Sequence, residues 1–384
     1  MKHHIRKKIA LFFSVVSLTS LMSSCSLDIV VINTKGSSSV QPFLNDLSSI
    51  YAKKHAVEIS VQAGGSSSGI TGVLDGTTNI GNVSRSPRGQ ITANESFSKQ
   101  WEEDGIKTVT LAKDAIALIY KKPKDLDNKD FYIDSHNISK LYDAFAGHEA
   151  VSLSDFYFGD ASLGDVNLTP FARSGGASVS GTAEAFLENS NLIDEHDLDN
   201  KTLKTLQGSI DYGYNTITTG ESNVEAYKNF QANAKLDGSI TYLSLGYIMN
   251  NIKTIHDDGF EIMNYKKDDV VVPTLETVAS NDYQWVRPYN IVFSLNKNDV
   301  NKLNSIKEFI KFAVFSSNFE QSEEIKQAYK KQGLIQLNDD ELKQMFLLDE
   351  DTQNQSVNDL ITNNENKFWV SDYSFKPVRF GVEF

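Results

Sequence analysis

The sequence has few of the residues that form disulfides, metal sites and membrane spans. Its 384 residues include one cysteine, Cys25, so an internal disulfide is excluded. The histidines after residue 24 are scattered without i, i+4 partners, which disfavours a metal site. No Gly-Lys-Ser or Gly-Lys-Thr follows a glycine-rich turn, so the sequence has no nucleotide-binding P-loop. We therefore expect neither a metal ion nor another cofactor.

The chain is also short of positive charge. It has 37 Lys and Arg against 50 Asp and Glu, which gives a formal net charge of −13 at pH 7. This balance disfavours nucleic acid and anionic lipid as partners. A hydrophobic content of 40% with only 7 prolines is typical of a globular protein. The length exceeds what one hydrophobic core usually organises, so we expect two domains.

The N-terminus has the pattern of an export signal. Basic residues precede an apolar run at 9–22, and two serines separate this run from Cys25. The run is shorter than the roughly 20 residues of a membrane-spanning helix, which predicts a signal peptide at 1–24. Residues 22–25 resemble a lipobox, so we expect a lipid on Cys25 and anchoring to the cell membrane, outside the cytoplasm. The alternative is a cleaved signal with an incidental cysteine.

Short apolar runs alternate with helical patterns along the rest of the chain. The patterns predict strands at 27–32, 58–62, 79–83, 239–245 and 289–295, and a long extended segment at 108–120. They predict helices at 40–54, 137–145, 182–187, 302–316 and 322–331. A further helix is predicted to follow the turn at 64–69 and to end at residue 74. This alternation is typical of an α/β fold with a parallel sheet. The stretch 173–181 has the composition of a loop, and 193–204 that of an acidic surface insertion.

Turns rich in glycine and serine precede several predicted helices. Such a turn places hydroxyls and unbonded backbone N–H groups at a helix N-terminus, where the partial positive charge favours an anion. A single turn of this kind is most often an ordinary helix cap. Here three such turns occur, and Arg85 and Arg173 lie near them in the sequence. This recurrence indicates a convergent set of hydrogen-bond donors for a small tetrahedral oxyanion.

The order of these motifs resembles that of a known family. The turns at 36–42, 64–70 and 80–85, and Arg173 with 180–182, resemble the ligand motifs of the phosphate-binding proteins of ABC importers. Segments 114–119, 238–247 and 283–288 resemble later pieces of the same family. The resemblance implies an extracytoplasmic solute-binding protein, not an enzyme, that captures inorganic phosphate and delivers it to the permease subunits of an ABC importer.

The resemblance also implies a fold and a ligand set. The fold is the two-lobed periplasmic-binding-protein-like fold of type II, in which each lobe is a mixed sheet flanked by helices and a hinge joins the lobes. Lobe I would comprise 25–115 with 285–384, and lobe II 116–284. The implied phosphate ligands are Ser39, Val40, Ser66, Ser67, Ser84 and Arg85 from lobe I, and Arg173, Ser180, Gly181 and Thr182 from lobe II.

Two departures from the family pattern affect this ligand set. The spacer between Arg173 and Ser180 is longer than usual, so Ser178 competes with Ser180 as a ligand. Some family members use a carboxylate in the third turn to accept the proton of hydrogen phosphate, whereas this chain has Ser84 and Arg85. The acceptor would then be a serine hydroxyl or a backbone carbonyl, and we expect weaker discrimination against sulfate.

Other interpretations stay open. Sulfate or molybdate would suit the same donors, and a surface lipoprotein or adhesin that has lost transport would keep the fold. Residues 65–69 match the G-x-S-x-G nucleophile elbow of serine hydrolases, although three adjacent serines make a chance match easy. Arg85 and Arg173 have an alternative role as structural ion-pair partners without ligand contact. Trp285 is more often a packing residue than a ligand platform.

Overall fold

The structure is a computed structural model that describes residues 29–92, 94–315, 323–343, 354–357 and 359–360, with the backbone alone of 378–379 and 382–383. The predicted signal peptide at 1–24 and the predicted lipidation site Cys25 lie outside the described residues. Within those ranges, no helix combines the length and the apolar character needed to cross a membrane.

Most of the strands belong to one large mixed sheet. The strands are β1 (Val30–Gly36), β2 (Val57–Ala63), β3 (Ile80–Val83), β4 (Ile106–Tyr120), β5 (Tyr132–Ile133), β6 (Thr169–Arg173), β7 (Ile217–Thr219), β8 (Ser239–Ser244), β9 (Glu261–Ile262), β10 (Asn264–Lys266), β11 (Val270–Val271), β12 (Val286–Ser294), β13 (Val378–Arg379) and β14 (Val382–Glu383). The main sheet has the order β2-β1-β3-β12-β4-β8-β6-β7, with β9 paired to β4.

The long strand β4 joins the two halves of this sheet. Residues 106–115 of β4 pair with β12, and residues 116–120 pair with β8. We call β2, β1, β3, β12 and residues 106–115 the first half-sheet, and residues 116–120 with β8, β6, β7 and β9 the second half-sheet. All 15 residues of β4 are buried, as expected for a central strand covered on both faces.

Parallel pairs connect the strands that precede the glycine-serine turns. Strand β1 runs parallel to both β2 and β3, and β6 runs parallel to β7 and β8. Strand β12 is antiparallel to β3 and β4. Since the carboxyl ends of parallel strands meet at one edge of a sheet, the turns after β1, β2 and β3 lie together at that edge.

Helices cover the sheet on both faces. They are α1 (Gln41–Ala52), α2 (Ser66–Leu74), α3 (Arg88–Thr92), α4 (Glu95–Glu103), α5 (Ile138–Ala146), α6 (Gly176–Val179), α7 (Gly181–Glu188), α8 (Asn200–Leu206), α9 (Asn223–Asn233), α10 (Leu245–Asp257), α11 (Leu275–Ala279), α12 (Val300–Phe315), α13 (Glu323–Gln332) and α14 (Asp339–Lys343). Short 3₁₀ helices form at Asn128–Asp130, Leu153–Phe156 and Glu195–Asp197.

Helix α1 shows how the local sequence produces these elements. Pro42 lies in its first turn, where the missing N–H costs no helical hydrogen bond. The apolar residues Phe43, Leu44, Leu47 and Tyr51 recur at helical spacing and are all buried. Each buried side chain of this kind stabilises the fold by about 1.5–3 kcal/mol relative to an exposed one, which fixes the orientation of the helix on the sheet.

Separate hydrophobic cores lie against the two half-sheets. The core of the second half-sheet is formed by buried residues between Ala115 and Val286. The cores of the first half-sheet are formed by residues before 113 and by residues from Tyr289 onward. Within the main sheet, β4 and β12 are the strands that run from one of these cores to the other. Two strands therefore connect the half-sheets that carry the turns.

The α/β fold class is confirmed, with mixed sheets flanked by helices. Two local predictions hold only in part. The segment 193–204 lies at the surface with most of its residues exposed, but Leu198 and Thr202 are buried and attach α8 to the core. The predicted loop 173–181 contains the short helix α6, which begins after Gly175 in a left-handed conformation (φ 77°). Glycine and serine in that stretch specify the helix termini and leave the one-turn helix between them intact.

Candidate functional site

Three buried serine hydroxyls meet at the shared edge of the first half-sheet. Ser37 follows β1, Ser66 begins α2 after β2, and Ser84 follows β3. The Ser37 hydroxyl donates to Ser84 Oγ at 2.9 Å, and the oxygens of Ser66 and Ser84 are 3.3 Å apart. The Ser84 N–H donates to Ser66 Oγ at 3.2 Å. We call Ser37, Ser66 and Ser84 the hydroxyl cluster.

The N-terminus of α7 faces the hydroxyl cluster from the second half-sheet. A Cβ atom added to Gly181 would lie 2.4 Å from Ser84 Oγ, 3.3 Å from Ser37 Oγ and 3.8 Å from Ser66 Oγ. Next to Gly181, the hydroxyl of Thr182 lies 3.2 Å from that of Ser39. Glycine at 181 therefore lets the backbone of one half-sheet approach the hydroxyls of the other.

Three helix N-termini converge on this place. Helices α1, α2 and α7 begin at Gln41, Ser66 and Gly181, next to or within the hydroxyl cluster and its facing turn. The first-turn amides of a helix have no intrahelical carbonyl to bond, and the helix dipole adds a partial positive charge there. In α1, however, the Gln41 N–H donates to the carbonyl oxygen of Ser37 at 3.1 Å and Pro42 has no N–H, so its first two residues offer no amide. Hydroxyls and amides arranged in this way are donors for a small anion.

Two glycines give the turns the required shape. Gly36 has φ 149°, and a Cβ atom there would lie 2.0 Å from the carbonyl oxygen of Asn82 in the neighbouring strand. Gly65, which precedes α2, has φ 81°. Both positions exclude ordinary side chains, because of the close backbone in one case and the left-handed conformation in the other.

Arg85 connects the two half-sheets next to the cluster. Its Nε lies 2.5 Å from Glu184 Oε1 on α7, and its Nη2 donates to Ser67 Oγ at 2.9 Å and to Gln90 Oε1 at 3.0 Å. Burial raises the pKa of Glu184 to about 8, with the attraction of Arg85 opposing this and the repulsion of Glu188 adding to it. Glu184 is thus a buried acid at the cleft that the sequence patterns did not single out.

The raised pKa of Glu184 predicts that stability depends on pH. The folded chain keeps a proton that the unfolded chain releases above the ordinary pKa of 4.5, and loses it only near 8. The free energy of unfolding should therefore fall with rising pH across this window, by at most about 1.4 kcal/mol per pH unit. Replacing Glu184 by Gln removes this titration, and we expect urea midpoints that change less over the same window. The control is E149Q, because Glu149 is exposed. If the urea midpoint of E184Q changed with pH as much as the midpoints of the wild type and of E149Q, the prediction would be contradicted.

Arg173 lies at the end of β6 and is fully buried. Its Nη1 donates to the carbonyl oxygens of Gly220 at 3.3 Å and Ser222 at 3.1 Å, and its Nη2 donates to Asn223 Oδ1 at 2.9 Å. Asn223 Oδ1 also accepts the Ser244 N–H at 3.2 Å. The guanidinium therefore shapes the loop that precedes α9, while its Nε has no hydrogen-bond partner among the described residues.

A buried ion pair lies where the two crossing strands meet. Asp114 on β4 is opposite Arg287 on β12, and Asp114 Oδ2 accepts from Arg287 Nε at 2.9 Å and Nη2 at 2.7 Å. The same oxygen accepts from Tyr289 at 3.1 Å, and Asp114 Oδ1 accepts from Ser244 at 2.8 Å. Arg287 Nη1 donates to the carbonyl oxygen of Gly181 at 2.6 Å. This network connects the strand crossing to the first residue of α7.

The remaining predicted residues divide between the cleft and its surroundings. Ser180 is buried and caps α7, where its Oγ accepts the Ala183 N–H at 3.4 Å. Ser178 is exposed and donates to the carbonyl oxygen of Gly175, which favours Ser180 over its competitor. Ser67 is exposed and its hydroxyl accepts from Arg85. Trp285 is buried, stacks on Phe186 and donates from Nε1 to the carbonyl oxygen of Ala185 at 3.0 Å.

The sequence interpretation missed several residues of the cleft. Ser37 stands in the first turn beside the predicted Ser39, and only the fold shows that its hydroxyl is the one in the cluster. No sequence pattern selects Glu184, because an acidic residue in the first turn of a helix is common and is explained by its interaction with the helix dipole. Asp114 and Arg287 occur in motifs that supported the resemblance, yet their pairing joins residues 173 positions apart and has no local signal.

Comparisons with known proteins show what this chain is similar to. A family model described as PBP superfamily domain matches residues 24–318. A lipoprotein of Mycoplasma genitalium is 40% identical over 97% of this chain and 98% of its own length. Phosphate-binding protein PstS 2 of Streptococcus agalactiae is 32% identical over 94 residues, which cover 24% of this chain and 29% of that protein.

A solved structure has the same fold. The ABC-type phosphate transport receptor from Vibrio cholerae superposes with a TM-score of 0.52 at 19% identity, covering 79% of this chain and 99% of that one. Together with the sequence match to PstS 2, this confirms the predicted resemblance to the phosphate-binding proteins of ABC importers.

Proposed function

Because this chain belongs to the PBP superfamily, whose fold supports a solute-binding role, we propose that it captures inorganic phosphate and delivers it to the permease subunits of an ABC importer. The proposed role is that of an extracytoplasmic binding protein and not of an enzyme. The relative from Mycoplasma genitalium is named a lipoprotein, which supports anchoring of this chain to the cell membrane through a lipid on Cys25.

One observation carries the proposal: the hydroxyl cluster and the start of α7 face each other across the two half-sheets. A tetrahedral oxyanion loses its water on burial, and this loss is offset only when nearly every oxygen finds a donor. Three buried hydroxyls and the amides at the starts of α2 and α7 supply such donors without a lysine. The net charge of −13 makes this local arrangement necessary, because the overall field repels an anion.

The proposed ligand set keeps the residues that the resemblance implies and adds Ser37. Its members are Ser37, Ser39, Val40, Ser66, Ser67, Ser84, Arg85, Arg173, Ser180, Gly181 and Thr182. Within it, the two guanidinium groups already have partners. Arg85 pairs with Glu184 and Arg173 holds the loop before α9, so direct contact with the anion would use nitrogens outside these contacts, such as Arg173 Nε.

We propose that the two half-sheets belong to separate lobes, with lobe I at 25–115 and 285–384 and lobe II at 116–284. Strands β4 and β12 would then act as the hinge, and three contacts would form on closure. They are Ser38 with Glu221 Oε1 at 2.5 Å, Ser39 with Thr182 at 3.2 Å, and Arg85 with Glu184 at 2.5 Å. Opening about the hinge would expose the hydroxyl cluster to solvent and let the anion enter.

Calorimetric titration of the mature chain with phosphate and with sulfate tests the proposal. We expect tight phosphate binding, which should raise the free energy of unfolding by about 2.7 kcal/mol at a free phosphate concentration 100 times the dissociation constant. Ser66→Ala should weaken binding because it removes a cluster hydroxyl. Ser68→Ala is the matched control, since Ser68 donates to the carbonyl oxygen of Gly65 and not to the cluster. Lack of phosphate binding, or equal affinity for both anions, would contradict the assignment.

Sulfate or molybdate is the second candidate, and a specific observation favours it. Among the described residues, no carboxylate hydrogen-bonds to the hydroxyl cluster, whose contacts are with other hydroxyls and two backbone amides. Glu184, which lies near the cluster, is paired with Arg85. The proton of hydrogen phosphate would then be accepted by a hydroxyl oxygen and not by a carboxylate. A hydroxyl repels a fully ionised anion such as sulfate less than a carboxylate does, so the site would discriminate less strongly against sulfate.

A further inference from the structure

A second cavity adjoins the proposed anion site. It has a volume of about 350 Å³ and lies between the starts of α1, α7 and α9, the N-terminal half of α10 and the end of α13. Small-molecule pockets usually measure about 300–1,000 Å³, so this one suits an organic ligand. It is separate from the hydroxyl cluster, whose serines already contact one another.

The cavity and the anion site share a wall. Ser39 and Thr182 line the cavity, and their hydroxyls are 3.2 Å apart. Both residues also belong to the proposed phosphate ligands. If each hydroxyl turned toward a bound ligand, the contact between them would open, and a group attached to one phosphate oxygen could extend into the cavity.

The walls of the cavity offer both hydrogen-bond donors, such as Lys331 and Gln332, and hydrogen-bond acceptors. Glu221 Oε1 accepts from Ser38, and Glu221 Oε2 has no partner among the described residues. The side-chain nitrogens of Asn250 and Asn251 donate to the carbonyl oxygens of Lys331 and Tyr247, so their amide oxygens remain available in the described structure. A carboxylate and amide oxygens in this arrangement accept hydrogen bonds from the alcohol groups of a ligand.

Size and chemistry together indicate a larger ligand than the ion alone. Inorganic phosphate is compact and would be fully surrounded by the cluster and α7, which leaves the polar cavity without a ligand group. A phosphate monoester fills both places: its phosphoryl oxygens take the donors of the cluster, and its hydroxyl-bearing carbon chain takes the acceptors of the cavity. We propose that the chain binds phosphate monoesters of small polyhydroxylated groups, an inference that rests on the proposed function of the anion site.

Titration with three probes tests the inference on the mature chain: inorganic phosphate, sn-glycerol 3-phosphate and glycerol. We expect glycerol 3-phosphate to bind at least about tenfold more tightly than inorganic phosphate, the gain typical of one or two added hydrogen bonds. Asn251→Trp, which fills the cavity, should abolish this advantage and leave phosphate affinity within about twofold. Glu221→Gln should reduce the advantage, because it weakens the acceptor, and the exposed Glu149→Gln is the matched control.

The outcomes separate this inference from the proposed function. Phosphate binding with equal or weaker binding of glycerol 3-phosphate overturns the inference and leaves the anion site intact. An ester advantage that persists in N251W also overturns it, because the glycerol group would then lie elsewhere. Failure of both phosphate and ester to bind overturns the proposed function itself. An ester advantage that is lost in N251W and kept in E149Q supports the inference.

Discussion

Asp114→Asn is expected to lower the free energy of unfolding by about 3–5 kcal/mol, the usual cost of breaking a buried ion pair on one side. Both side chains of the pair are fully buried, and Asp114 accepts hydrogen bonds from Arg287, Tyr289 and Ser244. Asparagine retains the shape but leaves the buried Arg287 guanidinium without its counter-charge. Urea unfolding of the wild type and the variant measures the difference.

The exposed pair of Lys253 and Asp257 provides the matched control. These side chains are 86% and 63% exposed, and their ion pair is the i,i+4 type on the surface of α10. Asp257→Asn should change the free energy of unfolding by less than about 1 kcal/mol. If D114N unfolded at the same urea concentration as D257N, the buried pair at the strand crossing would not contribute as we describe.

Gly181→Ala is expected to weaken phosphate binding about 10- to 100-fold, with a much smaller effect on stability. The added Cβ would lie 2.4 Å from Ser84 Oγ, so the Ser84 hydroxyl must rotate away from the position that faces α7. For folding, this rotation breaks the hydrogen bond from Ser37 to Ser84, which is worth about 0.5–1.5 kcal/mol. The lost hydrogen bond to a charged ligand is worth about 1.5–3 kcal/mol, which corresponds to the expected loss of affinity.

Gly89→Ala is the control for this substitution. Gly89 lies in the helix α3, and a Cβ atom there would meet nothing within 4 Å. Alanine at 89 should leave phosphate affinity unchanged and slightly raise stability through its higher helix propensity. Calorimetric titration and thermal unfolding of both variants separate binding from folding. Wild-type affinity in G181A would show that the anion does not lie between Gly181 and the hydroxyl cluster.

The repeating elements could be predicted because their signals are local. Helix α1 was expected at 40–54 and is observed at Gln41–Ala52, since its apolar face and Pro42 specify both its orientation and its start. Strand β4 was expected as an extended crossing segment and is continuous over Ile106–Tyr120. The charged residues of 193–204 predicted a surface insertion and gave no sign that Leu198 and Thr202 are buried. Their burial depends on the packing of α8 against a core that is distant in sequence.

The candidate site was predicted less completely than the fold. The glycine-serine turns indicated which segments hold anion donors, because small residues before a helix start have a direct physical effect on nearby amides. The sequence did not indicate which serine of each turn faces inward. Ser37 and Ser66 point into the cluster, whereas Ser67 is exposed and Ser68 bonds to its own turn.

By itself the sequence determined the class of fold, the order of its elements and the turns that carry donors, since periodicity, caps and glycine positions act within a few residues. Only the tertiary structure decided the partners of the charged groups. Arg85 pairs with Glu184 across the cleft, and Asp114 pairs with Arg287 at the strand crossing. Such contacts depend on which surfaces approach after the sheet forms. Burial then fixes the pairing of Asp114 with Arg287, because an unpaired charge there is costly.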